Sequence, residues 1–520
     1  MDPATVSVRR SELMAAVSLA ADLGMGQPLE SGLATCAVAT NLALRLGLDV
    51  GLRQRIYDLA LLQHIGCTSV SAEMASILGD ELVMRQHAAT LDFSDQRQMF
   101  VFLLGHVSRV NPPLRRPAAL TRAVALGGRI SAGAAEVCEA ARMLGQRCGY
   151  DPECTSDLAG VYEHWDGSGF PGIYSGEQIP LPARVVQAAT LAVSGHRSGG
   201  VDLAAELVGA RRGHSLDPAV AHEILADPDG VMAPIEAVTS LWDKVIDAEP
   251  ARAGSPTATE IDRILGAIAD FADLKSPCLH GHSRGVAALA AAAAQTCGLS
   301  PEDVICARRA GWLHDVGRIG ISSAVWGKPG PLRPHEREQV RLHPYYTHRV
   351  LDHTPYLRQL GAVAAAHHER LDGSGYFRGA TATQLSRPAR VLAAADVFHA
   401  MTAPRPYRPA HSPEVAARQL RHEAAAGKLD GGAVDAVLAA AGQPIRRRRR
   451  EAVAGLTPRE LETLQHIAGG LSIKQVARKL GIAPKTVDGH IQRVYAKIGV
   501  STRAGATLYA LQHELLSTDT

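Results

Sequence analysis

Aromatic side chains are scarce in this 520-residue chain. Phe 7, Tyr 11 and Trp 4 make up 4% of it, and histidine alone, at 22, equals the three together. Imidazole clusters are therefore sought before aromatic stacking platforms. Cysteine is sparse and unpaired. The eight (Cys36, Cys67, Cys138, Cys148, Cys154, Cys278, Cys297, Cys306) include no CxxC, which argues against a zinc ribbon or a disulfide framework. Free thiols of a reducing compartment fit better, so a cytoplasmic location is expected. No apolar run reaches the ~20 residues that cross a bilayer. The opening MDPATVSVRR lacks the basic start and apolar stretch of a signal peptide, so no membrane partner is expected. An excess of one charge is also missing. Lys+Arg 54 against Asp+Glu 52 leaves +2, so any nucleic-acid surface must be a local patch. Alternating apolar and polar β patterns are rare as well.

What is present is helical grammar. Apolar residues recur at three- and four-residue intervals in Ala/Leu/Arg/Glu stretches broken by Gly and Pro, which predicts an all-α chain. With 46% hydrophobic and 20% charged residues it is globular, and at ~100–200 residues per domain it holds roughly three or four folding units. A Pro/Ala/Gly/Ser/Thr-rich stretch at 250–259 and the run Arg446 to Arg450 mark linkers. Local text is duplicated across the first of them. Glu163-His-Trp-Asp-Gly-Ser-Gly-Phe170 echoes Glu369-Arg-Leu-Asp-Gly-Ser-Gly-Tyr376, and Ala183-Arg-Val-Val-Gln-Ala-Ala-Thr190 echoes Ala389-Arg-Val-Leu-Ala-Ala-Ala-Asp396. Asp166 to Thr190 and Asp372 to Asp396 are both 24 positions, so the two echoes share one register.

The second copy carries an ordered series of N and O donors: His282, His314, Asp315, His343, His367, His368 and Asp396. Imidazoles and carboxylates without a thiolate favour a hydrolytic Fe or Mn site over structural zinc. Neighbours such as His314 and Asp315 point about 100° apart on a helix, so they can serve neighbouring metals or let one carboxylate bridge two ions. Two adjacent cations would depress the pKa of a bridging water to give hydroxide and would grip a phosphodiester through its non-bridging oxygens. Phosphoester hydrolysis is the implied reaction.

Gly281-His-Ser-Arg284, Trp312-Leu-His-Asp-Val-Gly-Arg-Ile-Gly-Ile321, Leu342-His-Pro344, His367-His-Glu-Arg-Leu-Asp-Gly-Ser-Gly-Tyr376, Ala395-Asp-Val-Phe398 and Arg405-Pro-Tyr-Arg408 resemble the HD-GYP branch of the HD phosphohydrolases over about residues 260–440. The resemblance implies that those seven side chains hold two divalent metals, iron or manganese. A glutamate that helps hold a third metal in some members is replaced by Cys278. It further implies that Asp315 and Arg318 serve catalysis, with Arg318 in place of a lysine at the scissile phosphate. Arg405 and Arg408 match contacts to the other phosphate of a cyclic dinucleotide, and Gly375 and Tyr376 match part of the Gly-Tyr-Pro turn. Phe377 replaces the proline and His399 a common aspartate. Glu369 and Asp372 are expected to orient the imidazoles from behind. Cyclic di-GMP is the leading substrate.

In the first copy the ligand positions hold Gln63, His64, Val161, Tyr162 and Thr190, which cannot retain a pair of metals. This half is expected to be silent, either a sensory or dimerisation module or one structural half of a pseudo-symmetric pair.

Residues 456–520 follow a different pattern. Thr457, Pro458 and Glu460 make a capping-box start, Gly469-Gly470 a stop, Ser472 a second start, Gly481 a turn and Pro484 a third start. Basic residues exceed acidic ones there. Leu456-Thr-Pro-Arg-Glu-Leu-Glu462, Gly470-Leu-Ser-Ile-Lys-Gln-Val-Ala-Arg-Lys-Leu480 and Lys485-Thr-Val-Asp-Gly-His-Ile-Gln-Arg-Val-Tyr-Ala-Lys-Ile-Gly-Val500 resemble the LuxR-type DNA-binding domain. The resemblance implies a four-helix helix-turn-helix unit whose third helix enters the major groove. Lys485, Thr486, Asp488 and Gln492 would face bases or phosphates, and Lys474, Arg493 and Lys497 the backbone.

The expected organisation is therefore a degenerate HD-like repeat at 1–250, an HD-GYP-like metal phosphohydrolase domain at 256–443, a basic linker at 444–455 and a DNA-reading domain at 456–520. Such a chain is expected to be a transcriptional regulator that cleaves a cyclic dinucleotide and binds DNA as a homodimer. A nucleotide sensor without turnover and a phosphatase acting on another small phosphoester are the competing readings.

Overall fold

A computed structural model describes residues 8–92, 95–110, 116–117, 121, 127–236, 238–252, 254–444, 455–513 and 515. The run Arg446 to Arg450, read as part of a basic linker at 444–455, lies outside them. Among the described residues no strand forms, and β pairing is limited to the isolated bridges Arg212–Leu216, Asp372–Thr381 and Arg405–Arg408. The chain divides into two compact units, Met1–Pro444 and Ile445–Thr520.

Many helices of the first unit start where a short polar side chain precedes a proline. Ser300 accepts from the Asp303 amide ahead of Pro301, Asp217 from Ala219 and Val220 ahead of Pro218, and Ser412 from Val415 ahead of Pro413. Each satisfies amides the new helix leaves unpaired, and proline has no amide to lose. Three helices, His282–Thr296, Pro301–Leu313 and Arg387–Thr402, form the cradle of the second half. Their approach is close because the facing residues are small. Ala287, Ala290, Ala293 and Ala294 are fully buried, and a methyl group added to Gly311 would come within 2.6 Å of the Ala287 Cα. Ser31–Arg45, Val50–Leu62 and Leu181–Arg211 form the same cradle in the first half.

Side-chain detail repeats with the helices. Asp22 accepts from the Gly32 amide and Asp273 from the Ser283 amide, 251 positions later in each case. The residue ahead of the following helix adopts a left-handed conformation in both copies, Glu30 at φ 71° and Gly281 at φ 76°. Glu163 accepts from the amides of Gly172, Ile173 and Tyr174, and Glu369 from those of Arg378 and Ala380, 206 positions later.

The halves do not keep separate cores. One apolar cluster runs from Leu13, Leu33, Leu59 and Val186 to Ile264, Ala290, Leu313 and Leu392. Its centre is the helix Arg10–Gly24, in which Leu13 to Asp22 are all buried. This helix packs on Ser31–Arg45 and Val50–Leu62 of its own half and on the turn Val316–Gly320 and helix His343–Leu351 of the other. A helix buried on nearly every side belongs to the interior and not to a surface.

The second unit has its own core, with Leu464, Ile467, Val476, Leu480, Val487, Ile491, Val494 and Ile498 buried between Pro458–Ala468, Ile473–Leu480 and Pro484–Ile498. Gly481 at φ 65° makes the tight turn between the last two. Arg503–Gln512 packs against the first helix.

Candidate metal centre and DNA-facing helix

The seven donors expected from sequence come together in the second half in two groups, His282, His314 and Asp315, and His343, His367 and His368. Asp315 lies between them. Its Oδ2 is 2.9 Å from His314 Nε2 and 3.4 Å from His282 Nε2, while its Oδ1 is 3.5 Å from both His343 Nε2 and His367 Nε2. Asp396 Oδ1 completes the first group, 3.2 Å from His282 Nε2 and 3.6 Å from His314 Nε2. All but His368 are almost wholly buried.

Main-chain carbonyls fix the imidazoles. His314 Nδ1 meets the carbonyl of Gly311 at 2.8 Å, His343 Nδ1 that of Val340 at 2.6 Å, and His367 Nδ1 that of Ala364 at 2.7 Å, each three residues back. A carbonyl only accepts, so each Nδ1 carries the proton. In their neutral forms all three rings then turn an Nε2 lone pair into the site. The arrangement is unfavourable without a cation: the Nε2 atoms of His343 and His367 face each other at 3.0 Å, two acceptors with no proton between them. His282 Nε2, His314 Nε2, both Asp315 oxygens and Asp396 Oδ1 are likewise buried without a directed hydrogen bond. Buried polar atoms are costly to leave unpaired, so this donor set fits divalent cations. The charges agree. Burial holds His343 down at about 3 and His367 at about 4, so both are neutral at physiological pH. Burial also opposes charging His314, but Asp315 and Asp396 outweigh it and lift that ring to about 10, leaving it protonated until a cation takes the proton's place.

The surrounding residues divide. Arg318 is buried, with Nη1 2.7 Å from Asp315 Oδ2 and its guanidinium 5.1 Å from the centre of the Trp326 ring. Tyr376 stacks on His368 with ring centres 4.7 Å apart, and Gly375 lets that loop pass the backbone, since an added methyl would sit 2.4 Å from the Glu369 Cα. Arg405 donates to the Cys278 carbonyl at 2.7 Å, and nearby Arg318 adds to burial in lowering its pKa. Arg408, expected at a phosphate, has another task. Its guanidinium donates to the carbonyls of Ala400, Met401, Ala403 and Pro409, closing the C-terminal end of Arg387–Thr402, where free carbonyls attract a cation.

Glu369 and Asp372 do not orient imidazoles. Glu369 anchors the loop amides at 378 and 380, and exposed Asp372 binds the Ser374 amide and hydroxyl. The carbonyls three residues back do that work. Sequence could not single them out, because every residue carries a carbonyl. His399 stands behind His282, Nδ1 to Nδ1 at 3.0 Å, in space left by Gly285, where a methyl would lie 2.0 Å from the His399 Nε2. Thr347 was also missed. Its hydroxyl donates to the His314 carbonyl and accepts from the Gly317 amide, tying two ligand-bearing segments together.

The matching place in the first half is filled. Thr190 donates to Gln63 Oε1 at 2.9 Å, a neutral pair where the second half has Asp396 and His314. The Tyr162 hydroxyl lies 3.0 Å from Cys67 Sγ and 3.4 Å from His64 Nδ1. Burial holds His64 down at about 4, so it is a neutral, packed histidine.

In the second unit Lys474, Lys485, Thr486, Asp488, Gln492, Arg493 and Lys497 are all exposed, while Val487, Ile491, Val494 and Ile498 turn inward. Two of the cations are engaged within the unit. Lys497 Nζ binds Glu460 Oε2 at 2.7 Å and the Gly455 carbonyl at 2.9 Å, and Arg493 reaches Glu460 at 3.4 Å. The Lys497 bond and the Thr457 amide hold the Glu460 carboxyl down at about 2.

Residues 266–432 match the HD domain family, and residues 454–510 match the luxR family of bacterial regulatory proteins. The chain is 28% identical over 405 residues to a 3'3'-cGAMP-specific phosphodiesterase 3 of Vibrio cholerae, covering 77% of this chain and 88% of that one. It is 37% identical over 173 residues to a cyclic di-GMP phosphodiesterase of Thermotoga maritima, of whose length it matches 45%. The fold is that of a solved cyclic GMP-AMP specific phosphodiesterase of V. cholerae, with a TM-score of 0.58 at 23% identity over 84% of this chain and 98% of that one. The chain therefore carries an HD domain followed by a LuxR-type helix-turn-helix domain. No described helix is long and apolar enough to cross a membrane.

Proposed function

We propose that this chain is a cytoplasmic regulator in which residues 256–443, braced by a ligand-free repeat at 1–250, linearise a cyclic dinucleotide, and residues 456–520 read DNA as part of a homodimer. The observation that carries the reading is the convergence of two donor groups on Asp315. Two divalent ions, iron or manganese, would supply an activated water and positive charge for the phosphoryl oxygens. His282, His314, Asp315 and Asp396 would hold one and His343, His367 and His368 the other, with Asp315 shared. Water adds to phosphorus, the bond from phosphorus to the ribose oxygen breaks, and that oxygen leaves as a hydroxyl. Arg318 offsets the charge gathering on the phosphoryl oxygens. Arg405, half-buried near it, would meet the second phosphate. Tyr376, stacked on His368, gives a base or ribose an aromatic wall.

The relative matched along most of both chains is named for 3'3'-cyclic GMP-AMP, which moves that dinucleotide ahead of cyclic di-GMP. In the DNA-reading unit Lys485, Thr486, Asp488 and Gln492 are exposed on Pro484–Ile498, and Lys474 is exposed on Ile473–Leu480. Lys497 serves chiefly as a tie to Glu460.

The test joins elemental analysis to turnover. Purified protein is expected to hold about two Fe or Mn per chain and to open cyclic GMP-AMP, cyclic di-GMP or both, and His314→Ala and Asp315→Ala to lose metal and turnover together. Metal and bound dinucleotide without product would make the chain a sensor. Release of phosphate from mononucleotides alone would make it a phosphatase.

A further inference from the structure

The half without metal ligands sends a fully buried carboxylate into the other half. Glu81 and Lys275 form an ion pair at 2.8 Å in which neither side chain is exposed. The remaining acceptor capacity of Glu81 is spent on one segment of the second half: Oε2 accepts from the Ser322 hydroxyl at 2.7 Å and Oε1 from the Ser323 amide at 2.8 Å. Ser323 in turn donates to the Lys275 carbonyl at 2.9 Å. Ser322 caps the short helix Ser323–Trp326. That helix ends on the indole that covers the Arg318 guanidinium, donates to the Arg318 carbonyl at 3.3 Å and meets the His343 ring edge-on at 5.9 Å. An unbroken chain of contacts therefore runs from Glu81 to Arg318.

We infer that Glu81 is a positioning residue for Arg318, so that the ligand-free half is a working part of the catalytic centre. A buried ion pair is poor evidence of stabilisation, because removing two charges from water offsets their attraction. It is a good directional fixture, since a displaced Glu81 would strand the Lys275 ammonium and the Ser323 amide together. Tilting Ser323–Trp326 moves the indole off the guanidinium, and Arg318 then settles on Asp315 alone, turned from the phosphate.

The inference rests on the phosphodiesterase reading, and its test separates the two. In the full chain, the double variant Glu81→Gln with Lys275→Met avoids an unpaired buried charge, and Ser322→Ala removes only the hydroxyl. Each is expected to keep the metal content and to lower turnover about ten- to a hundredfold, as small misplacements of a catalytic group do. In an Arg318→Ala background the same changes are expected to cost less than about twofold, because the residue they act through is gone. Trp326 emission, taken as the difference from the matching Trp326→Phe protein, is expected to shift in each variant. Equal losses with and without Arg318, metal lost together with activity, or unshifted emission would each overturn the inference. If the unaltered protein turns over neither dinucleotide, the phosphodiesterase reading fails, and the Trp326 emission still decides whether Glu81 sets Arg318.

Discussion

Three imidazoles of this site owe their free lone pairs to carbonyls and not to acidic side chains, which sets what each polar substitution should do. Arg408→Ala removes a cap of the helix bearing Asp396 and should lower stability by about 1–3 kcal/mol, the cost of leaving acceptors unsatisfied. Metal content should hold and the KM for the dinucleotide should stay within about twofold. A melting curve beside a kinetic run checks both, and a large rise in KM with unchanged melting would return Arg408 to the substrate. Asp22 tests the fold's acid–base balance. Burial, partly offset by the Gly32 amide, lifts its carboxyl from 3.8 to about 8. The unfolded chain ionises there first, so this group's contribution is complete below its ordinary value and is lost as pH rises from near 4 towards 8. Asp22→Asn should flatten that decline, seen as melting temperatures that converge at low pH and favour the variant near about pH 8. The donors themselves were legible in sequence, because His and Asp in a fixed order are rare text. The tasks of Glu369, Asp372 and Arg408 were not, since carboxylates and guanidinia serve loops and helix ends as readily as substrates.

The structure records the duplication more fully than the two stretches whose wording first revealed it. Asp22 and Asp273 hold the same amide in segments with little shared text, because one hydrogen bond fixes one residue and leaves its neighbours free. Where the copies differ, the difference can be tested. Glu30 takes a left-handed conformation that costs a side-chain-bearing residue ~1–2 kcal/mol, and its counterpart is Gly281. Glu30→Gly should therefore stabilise the chain by up to about 1 kcal/mol, read as a higher denaturation midpoint with an unchanged slope. In the LuxR-type unit two lysines part company. Lys485→Ala should weaken DNA binding and lower the salt dependence by about one counterion. Lys497→Ala should chiefly lower the melting temperature of the unit, by freeing the Glu460 carboxylate that Thr457 and Lys497 hold together. Titrations at several salt concentrations separate the two.

Across the whole molecule, the all-helical build and the change of grammar near 450 were open to sequence reading, because periodicity and capping are local. The shared interior was not. Nothing in the text of Arg10–Gly24 says that its second face meets Val316–Gly320, a partner some three hundred positions away. Such pairings depend on the sum of many weak apolar contacts, and any Ala- and Leu-rich helix offers them. That single interior limits how such a protein can be rearranged by recombination. The LuxR-type unit, with a core of its own, can be exchanged for another domain by a crossover beyond residue 444. A crossover near residue 255 would instead separate helix Arg10–Gly24 from the turn Val316–Gly320 and helix His343–Leu351 that it packs on, so the two copies must be inherited together.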